Sequence, residues 1–309
     1  MNYTLHQLQV YLMVVEKRSI TKAAEALYLT QPAVSIQIKN FQDQFEIPLT
    51  EIIGRQLYVT EFGLEIVTAA ESILNLVHEI NYKTLAYKGL LSGKLKIAVV
   101  STGKYVMPFL LSNFINNNQG IELNMDVTNR SAVISNLEKN EIDFALVSIL
   151  PEHLSIDYIP LMENELYLIG QSNPYENSKK ISAEMINQLP FIYREEGSGT
   201  RLMMEKFVEN EQLYGSKKII LTSSEAVKQA LLAGLGFSIM PLIGIRHELN
   251  RKALAIIPYE GLPMKTRWYL VWLKDKKFSP IASAYLKYLK AHRDELIQKY
   301  FDKSYDVNL

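Results

Sequence analysis

The sequence predicts an α/β protein that opens with an all-α helix-turn-helix, and three patterns predict it. Two short amphipathic helices are written into Ser19–Asn40, a long helix with two apolar rows follows Thr60, and strands alternate with helices from Leu95 onward. These patterns divide the chain into a helix-turn-helix domain at 1–61, a linker helix at 62–91 and a two-lobed α/β domain at 92–309. Lobe I takes about 94–164 and 267–302, and lobe II about 165–266.

In the helix pair, Ser19 is placed to cap a helix whose apolar positions Ile20, Ala23, Ala24 and Leu27 share one face. The two alanines leave room for a second helix to cross close above. Tyr28 and Leu29 make the turn, Thr30 supplies the next cap, and Pro32 stands where its missing N–H costs nothing. The second helix is expected to run to about Phe45, burying Ala33, Val34, Ile38, Phe41 and Phe45. Its other face presents Gln31, Ser35, Gln37 and Lys39, groups able to reach base edges or phosphates in a DNA groove. Taken alone, the pattern fits a purely structural αα-hairpin as well as a DNA reader.

After Thr60, Ile66, Ile73, Ile80 and Tyr87 recur every seven residues, and Leu64, Val67, Leu74 and Leu85 form a second row. A helix apolar on two sides wants a partner, either its own domain or the same helix of a second copy. Gly89 to Lys94 reads as a hinge. Beyond it, strands are expected at Leu95–Val100, Ile121–Thr128, Ile142–Ser148, Glu165–Gln171, Pro190–Arg194, Ile219–Thr222, Phe237–Pro241 and Thr266–Leu273. Helices fill the intervals, and Pro280–Lys299 closes the chain. This grammar predicts a mostly parallel sheet with helices on both faces, and a cleft where the strand ends of two lobes face each other.

Two turns carry the chemistry expected of that cleft. The run Arg194 to Arg201 follows a strand and opens a helix, and Gly197 and Gly199 free its backbone to turn tightly. Ser198, Thr200 and the first helical N–H groups then converge on one point, which suits an anion, with Arg201 or Arg194 adding charge. The same turn fits a plain helix cap. It is neither a P-loop nor a nucleophile elbow, because no Gly-Lys-Ser/Thr ending follows and Glu stands at 196. Ser101, Thr102 and Gly103 repeat the strand–polar turn–helix grammar, and Asn129 and Ser148 follow later strands toward the same cleft. Gly234 to Gly236 reads as a helix-to-strand turn.

Composition narrows the classes. Without a cysteine there is no disulfide, thiolate nucleophile or cysteine-held metal, and the five histidines are scattered singly, so neither metal nor cofactor is expected. The uncharged run Ala230–Ile245 is too short and too broken by Gly and Pro to span a bilayer, and no signal peptide is read at the N-terminus; a cytoplasmic protein is expected. Residues 1–61 hold five cations against six anions, so DNA contact there must rest on a few placed cations, on helix dipoles and on two copies acting together.

Leu5, Leu8, Tyr11, Ser19, Ala23, Ala24, Leu27, Gln31, Pro32, Ala33, Ser35, Ile38, Pro48, Leu49, Gly54, Arg55, Thr60 and Gly63, in that order, resemble the N-terminal winged helix-turn-helix of LysR-type transcriptional regulators. Glu141–Ala145, Glu225–Val227, Ala233–Gly236 and Pro241 extend the resemblance to the family's effector domain, whose lobes resemble periplasmic binding proteins. The resemblance implies a wing at Pro48–Thr60, turning at Gly54 with Arg55 at its tip and a strand at Leu57–Val59. It implies that double-stranded promoter DNA is met by Thr30, Gln31, Pro32, Ser35, Gln37, Lys39 and Arg55. A small, anionic effector would sit between the lobes, at Ser101, Thr102, Asn129, Ser148, Gly197, Ser198, Thr200 and Arg201. Further partners implied are a second copy through the linker helix, a homotetramer and RNA polymerase. The run Arg194–Arg201 resembles the branch that controls carbon-fixation and sulfur-assimilation operons. The chain departs from the family pattern at Thr50 and Ile52, where Phe and Arg are usual, at Ile36 and Asn40, where cations are, and at Gln42, where Glu is. The competing reading is a small-molecule-binding protein or enzyme that uses the cleft and keeps its N-terminal helices for oligomerisation only.

Overall fold

The computed structural model describes residues 2–54, 56–87, 91–171 and 181–301, with backbone alone at 75, 78, 79 and 81–87. The chain falls into two compact units, Met1–Gly89 and Leu90–Leu309. No helix among the described residues is long and apolar enough to cross a membrane.

In the first unit α1 (Leu5–Lys17) starts from a reciprocal cap: the Thr4 hydroxyl accepts from the Gln7 amide, and the Gln7 side chain accepts from Thr4 N at 2.8 Å. Ser19 caps α2 (Ile20–Ala26) by accepting from Lys22 N, and Tyr28 turns the chain in the left-handed region at φ 55°. Thr30 caps α3 (Gln31–Gln42) by accepting from Ala33 N, with Pro32 in the first turn. Ala23, Ala24 and Val34 lie fully buried against Val10 and Val14, so the small side chains do let α2 and α3 meet closely over α1.

The second helix of the pair stops at Gln42 rather than near Phe45. The Gln42 amide explains the stop: it accepts from Leu49 N at 2.6 Å and donates to Ile47 O at 3.3 Å, closing the turn. A carboxylate at that position has no proton to donate to Ile47. Phe45, although outside the helix, still packs between Phe41 and Phe62. The wing is a full hairpin, β1 (Thr50–Ile53) against β2 (Gln56–Val59), of which the sequence showed only the second strand.

Helix α4 (Glu61–Tyr87) begins where Thr60 donates to Pro48 O at 2.7 Å and accepts from Gly63 N at 2.9 Å. Its first half is bound to its own unit, with Ile66, Val67, Ala70, Ile73 and Leu74 against Leu8, Tyr11 and Phe41. Leu64, Leu76 and Ile80 stay exposed. The two rows read from sequence are thus redistributed: both contribute to the internal core. The Leu85 and Tyr87 side chains and the start of the expected hinge, Gly89 and Leu90, lie outside the described residues, whereas Ser92–Lys94, expected in that hinge, belong to the strand that follows.

The second unit runs β3 (Ser92–Val100), a 3₁₀ turn at Gly103–Tyr105, α5 (Met107–Asn116), β4 (Gly120–Thr128), α6 (Arg130–Glu138), β5 (Phe144–Val147) and β6 (Ile156–Gln171). It continues through α7 (Ala183–Asn187), β7 (Pro190–Arg194), α8 (Gly199–Asn210), β8 (Lys217–Leu221), α9 (Ser224–Leu232) and β9 (Ser238–Pro241). A 3₁₀ turn, α10 (Arg246–Asn250), β10 (Leu254–Ile256), β11 (Met264–Leu273) and α11 (Pro280–Tyr300) complete it. The expected mostly parallel sheet is a mixed one. Strand β3 pairs in parallel with β4 and β5, whereas β11 runs antiparallel to both β5 and β6, and β9 and β10 run antiparallel to β6. Strand β6 also begins at Ile156, nine residues before the expected Glu165.

Strands β6 and β11 pair from Ile156↔Leu273 to Leu166↔Met264 and so pass through two packing environments. At one end Trp268, Leu270 and Ile159 join Leu95, Ile97, Phe144 and Tyr285 in a single core. At the other, alternate β6 residues serve opposite faces: Leu166 and Leu168 pack with Phe191, Met204 and Ile239, Tyr167 and Ile169 with Ile192, Val227 and Met240. That alternation is why helices cover both sides there.

Gly63 tests the joint between wing and α4. A Cβ there would lie 2.1 Å from Leu49 O, and Gly63 O accepts from the Tyr11 hydroxyl, which burial keeps protonated by pushing its pKa up to about 12. Gly63→Ala is expected to destabilise this unit by about 1–3 kcal/mol. Hydrogen exchange should show lost amide protection in α1 and α4 with the β3–β5 core unchanged; unchanged protection in α1 and α4 would contradict the packing described.

Candidate functional site

Four strand-to-helix or strand-to-loop turns of the second unit meet at one place. Val100, Ser101 and Thr102 end β3, Asn129 and Arg130 follow β4, Ser148 follows β5, and Arg194, Ser198, Gly199 and Thr200 come from the end of β7 and the start of α8; together they line one small cavity. It holds about 10 Å³, roughly the room of one water. Of the eight residues expected at an effector site, Ser101, Thr102, Asn129, Ser148, Ser198 and Thr200 stand on this cavity. Gly197 and Arg201 instead line an adjoining hollow of about 250 Å³, which shares Arg130 and Ser198 with the first.

The two halves of the site touch through backbone. Ser131 N donates to Gly197 O at 3.1 Å, joining the first turn of α6 to the turn before α8. Gly197 has φ +78°, and a Cβ on it would lie 2.6 Å from Ser131 Oγ. Only glycine meets both demands there.

Charge at the site is positive and partly held in. Asn129 Oδ1 accepts from Ala132 N and Ser198 Oγ from Arg201 N, so α6 and α8 each present a capped N-terminus to the cleft. Arg130 donates to the Ile149 and Leu150 carbonyls, at 3.4 Å each. Burial holds its pKa below the usual guanidinium value, with Glu152 opposing from longer range. Arg194 is almost wholly buried and grips Glu195 through two 2.8 Å bonds, while a third donor reaches Ser224 Oγ. Ser224 Oγ in turn lies 3.1 Å from Ser101 Oγ. Arg201 donates to Glu205 at 2.7 Å and to Arg194 O at 3.4 Å. Arg130 and Ser224 were missed in the sequence. Arg130 reads there as an ordinary surface residue of a helix start, and nothing distinguishes Ser224 from its neighbour Ser223.

In the first unit, Thr30, Gln31, Pro32 and Lys39 are exposed on α3 and Ser35 is half-buried, with Gln31 Nε2 donating to Ser35 Oγ at 3.0 Å. Ile36, 58 % exposed, shares this face. Gln37 does not: at about 100° per residue it flanks the buried Val34 and Phe41, and it is itself half-buried. Arg55 lies outside the described residues.

Residues 5–64 match the profile of a bacterial regulatory helix-turn-helix protein of the lysR family, and residues 88–294 match that of the LysR substrate binding domain. The HTH-type transcriptional activator CmpR of Synechocystis sp. is 37% identical over 297 residues, covering 96% of this chain and 97% of that protein. A RuBisCO operon transcriptional regulator of Allochromatium vinosum is 36% identical over 290 residues, covering 94% and 96%. Among solved structures, the CcmR regulatory domain of Synechocystis in complex with 2-PG aligns with a TM-score of 0.60 at 34% identity, over 65% of this chain and 98% of that one. Full-length CbnR complexed with its target DNA aligns with a TM-score of 0.71 at 18% identity, over 93% and 99%, a likeness of fold. The chain belongs to the LysR family of transcriptional regulators, with an N-terminal helix-turn-helix and a C-terminal effector-binding domain.

Proposed function

We propose that this regulator acts in the cytoplasm on a carbon-fixation operon and is switched by a small phosphorylated anion bound between its lobes. The observation that supports the effector class is the convergence of the α6 and α8 N-termini with Arg130 on one cavity lined by hydroxyls. Helix N-termini and a guanidinium both favour negative charge, and serine and threonine hydroxyls turn to donate to it. The cavity as it stands has room for about one water, so an anion head needs the surrounding turns to give way. The adjoining hollow, bounded by Arg201, Glu196 and Glu205, takes the rest of the molecule. The CcmR complex with 2-PG and the relatives that regulate RuBisCO operons support the same class. No step of catalysis is needed: effector binding biases one lobe arrangement over another.

DNA is read by the exposed face of α3, through Thr30, Gln31, Pro32, Ser35 and Lys39, with Arg55 and Gln37 in supporting contacts. Ile36 fits the methyl group of a thymine in the major groove. Exposed Leu64, Leu76 and Ile80 on α4 are the surface by which a second copy pairs.

Arg130→Ala is expected to weaken 2-PG binding by the full chain about ten- to a hundredfold, the worth of a charge-assisted bond, read by titration calorimetry. Affinity equal to wild type would remove Arg130 from the site. On the DNA side, Gln31→Ala combined with Lys39→Ala should abolish the mobility shift of a promoter fragment from upstream of its own gene while circular dichroism stays native. Replacing thymine by deoxyuridine in that fragment should weaken wild-type binding and leave Ile36→Ala indifferent. Full retention of the shift by the double variant would sink α3 as the reading helix.

A further inference from the structure

We propose that Ser224 is a positioning residue that ties a bound anion to closure of the two lobes, an inference that rests on the effector reading above. Helix α9 opens behind two consecutive serines, and they do different work. Ser223 Oγ accepts from Ala226 N at 3.0 Å and caps the helix. Ser224 is left with a hydroxyl the cap does not use, and it is buried to 4 % exposure. A buried hydroxyl needs partners, and this one has two from different lobes. Arg194, at the end of β7, donates to it from Nη1, and Ser101, after β3 and 123 residues away, meets it at 3.1 Å. Both partners line the anion cavity, whereas Ser224 stands behind them.

Donor direction gives the arrangement its function. A guanidinium only donates, so Ser224 accepts from Arg194 and its own proton is available to Ser101. Ser101 then has its proton to give onward, into the cavity. The chain runs Arg194 to Ser224 to Ser101 to ligand, and each bond polarises the next. Glu195 fixes the rest of Arg194 through Nε and Nη2, so the remaining direction of the guanidinium is set by Ser224. Such a chain ends best on a group that only accepts, as an ionised phosphate does. Parting the lobes breaks the Ser101–Ser224 link, so an anion that completes the chain favours the closed arrangement. The backbone bond from Ser131 to Gly197 clasps the lobes elsewhere and does not involve Arg194.

The chain has no cysteine, so spin labels can be placed through Glu138→Cys on α6 and Glu209→Cys on α8, both exposed. Inorganic phosphate is titrated into the full chain while the inter-label distance is followed. Ser224→Ala should weaken phosphate about tenfold, an ordinary size for coupling between sites. It should also lengthen and broaden the distance distribution without ligand, with native circular dichroism retained, and Ser224→Thr should restore both. Ser101→Ala should show the same loss, and the double variant no more than either single. Wild-type affinity and distances in Ser224→Ala, or additive losses in the double variant, would overturn the proposal while leaving the cleft reading intact. A wild-type chain that binds no phosphate and loses nothing with Arg130→Ala would overturn both.

Discussion

Everything at the cleft depends on one pair of strands. Strands β6 and β11 are antiparallel partners from Ile156↔Leu273 to Leu166↔Met264, and both lobes are built on them. The chain therefore crosses between lobes as hydrogen-bonded strands and not as loose linkers. Any bending of one lobe against the other has to pass through that ladder. The register shift between Arg267 and Tyr269 lies in its middle, where an extra residue breaks regular pairing. Pro160 sits opposite Tyr269 at the edge of the same shift, where its missing N–H costs least. Across this joint the site is assembled from side chains that no local sequence window brings together.

The electrostatics of the cleft follow from that assembly. Arg194 and Arg201 arrive already paired with carboxylates of their own segment, Glu195 and Glu205, so their charge is largely answered before any ligand enters. Arg130 has carbonyl partners instead, and burial presses its pKa downward. On the proposed effector reading, an anion there offsets that desolvation and also meets the positive ends of α6 and α8. The carboxylate-paired arginines then act as donors and as spacers, which sets geometry more than net charge. On the same reading, the α6 and α8 N-termini attract together only while the turns that carry them stay close, as Ser131 N and Gly197 O are.

Much of this was legible in the sequence because the signals are local. Ser19, Thr30 and Ser198 stand three residues before the amides they cap, and Ala23 with Ala24 mark the crossing of α2 and α3. Strand β4 announces itself by alternation, Ile121, Leu123, Met125 and Val127 falling at every second position. What was not legible is long-range or masked by a local exception. The first half of β6 was unreadable because Pro160 and two acidic residues, Asp157 and Glu163, interrupt any strand pattern, and its support comes from pairing with the distant β11. The antiparallel return of β11 is a topological fact with no local marker. At the site, the hydroxyls and glycines of strand-end turns were readable by type. Arg130 and Ser224 face residues that no local window brings to them, and the half-burial of Gln37 follows from which side of α3 faces Val10 and Val14.

The first unit carries so little net charge that its DNA reading has to work by number. Lys17, Arg18, Lys22, Lys39 and Arg55 are all the lysines and arginines of residues 1–61, against six acidic residues. Each phosphate neutralised contributes a slope of about 0.9 in log affinity against log salt, so one copy has a small electrostatic term with which to hold any sequence. Linking two weak readers multiplies their affinities through effective concentration, and that gain survives only while both fit their half-sites. The weaker each reader, the larger the share of total affinity that depends on spacing. On the proposed reading, Ile36 stands exposed where a cation would grip any duplex, so each copy's hold on DNA leans on the spacing of the pair. Strong cations on α3 would raise affinity for every sequence and blunt that dependence.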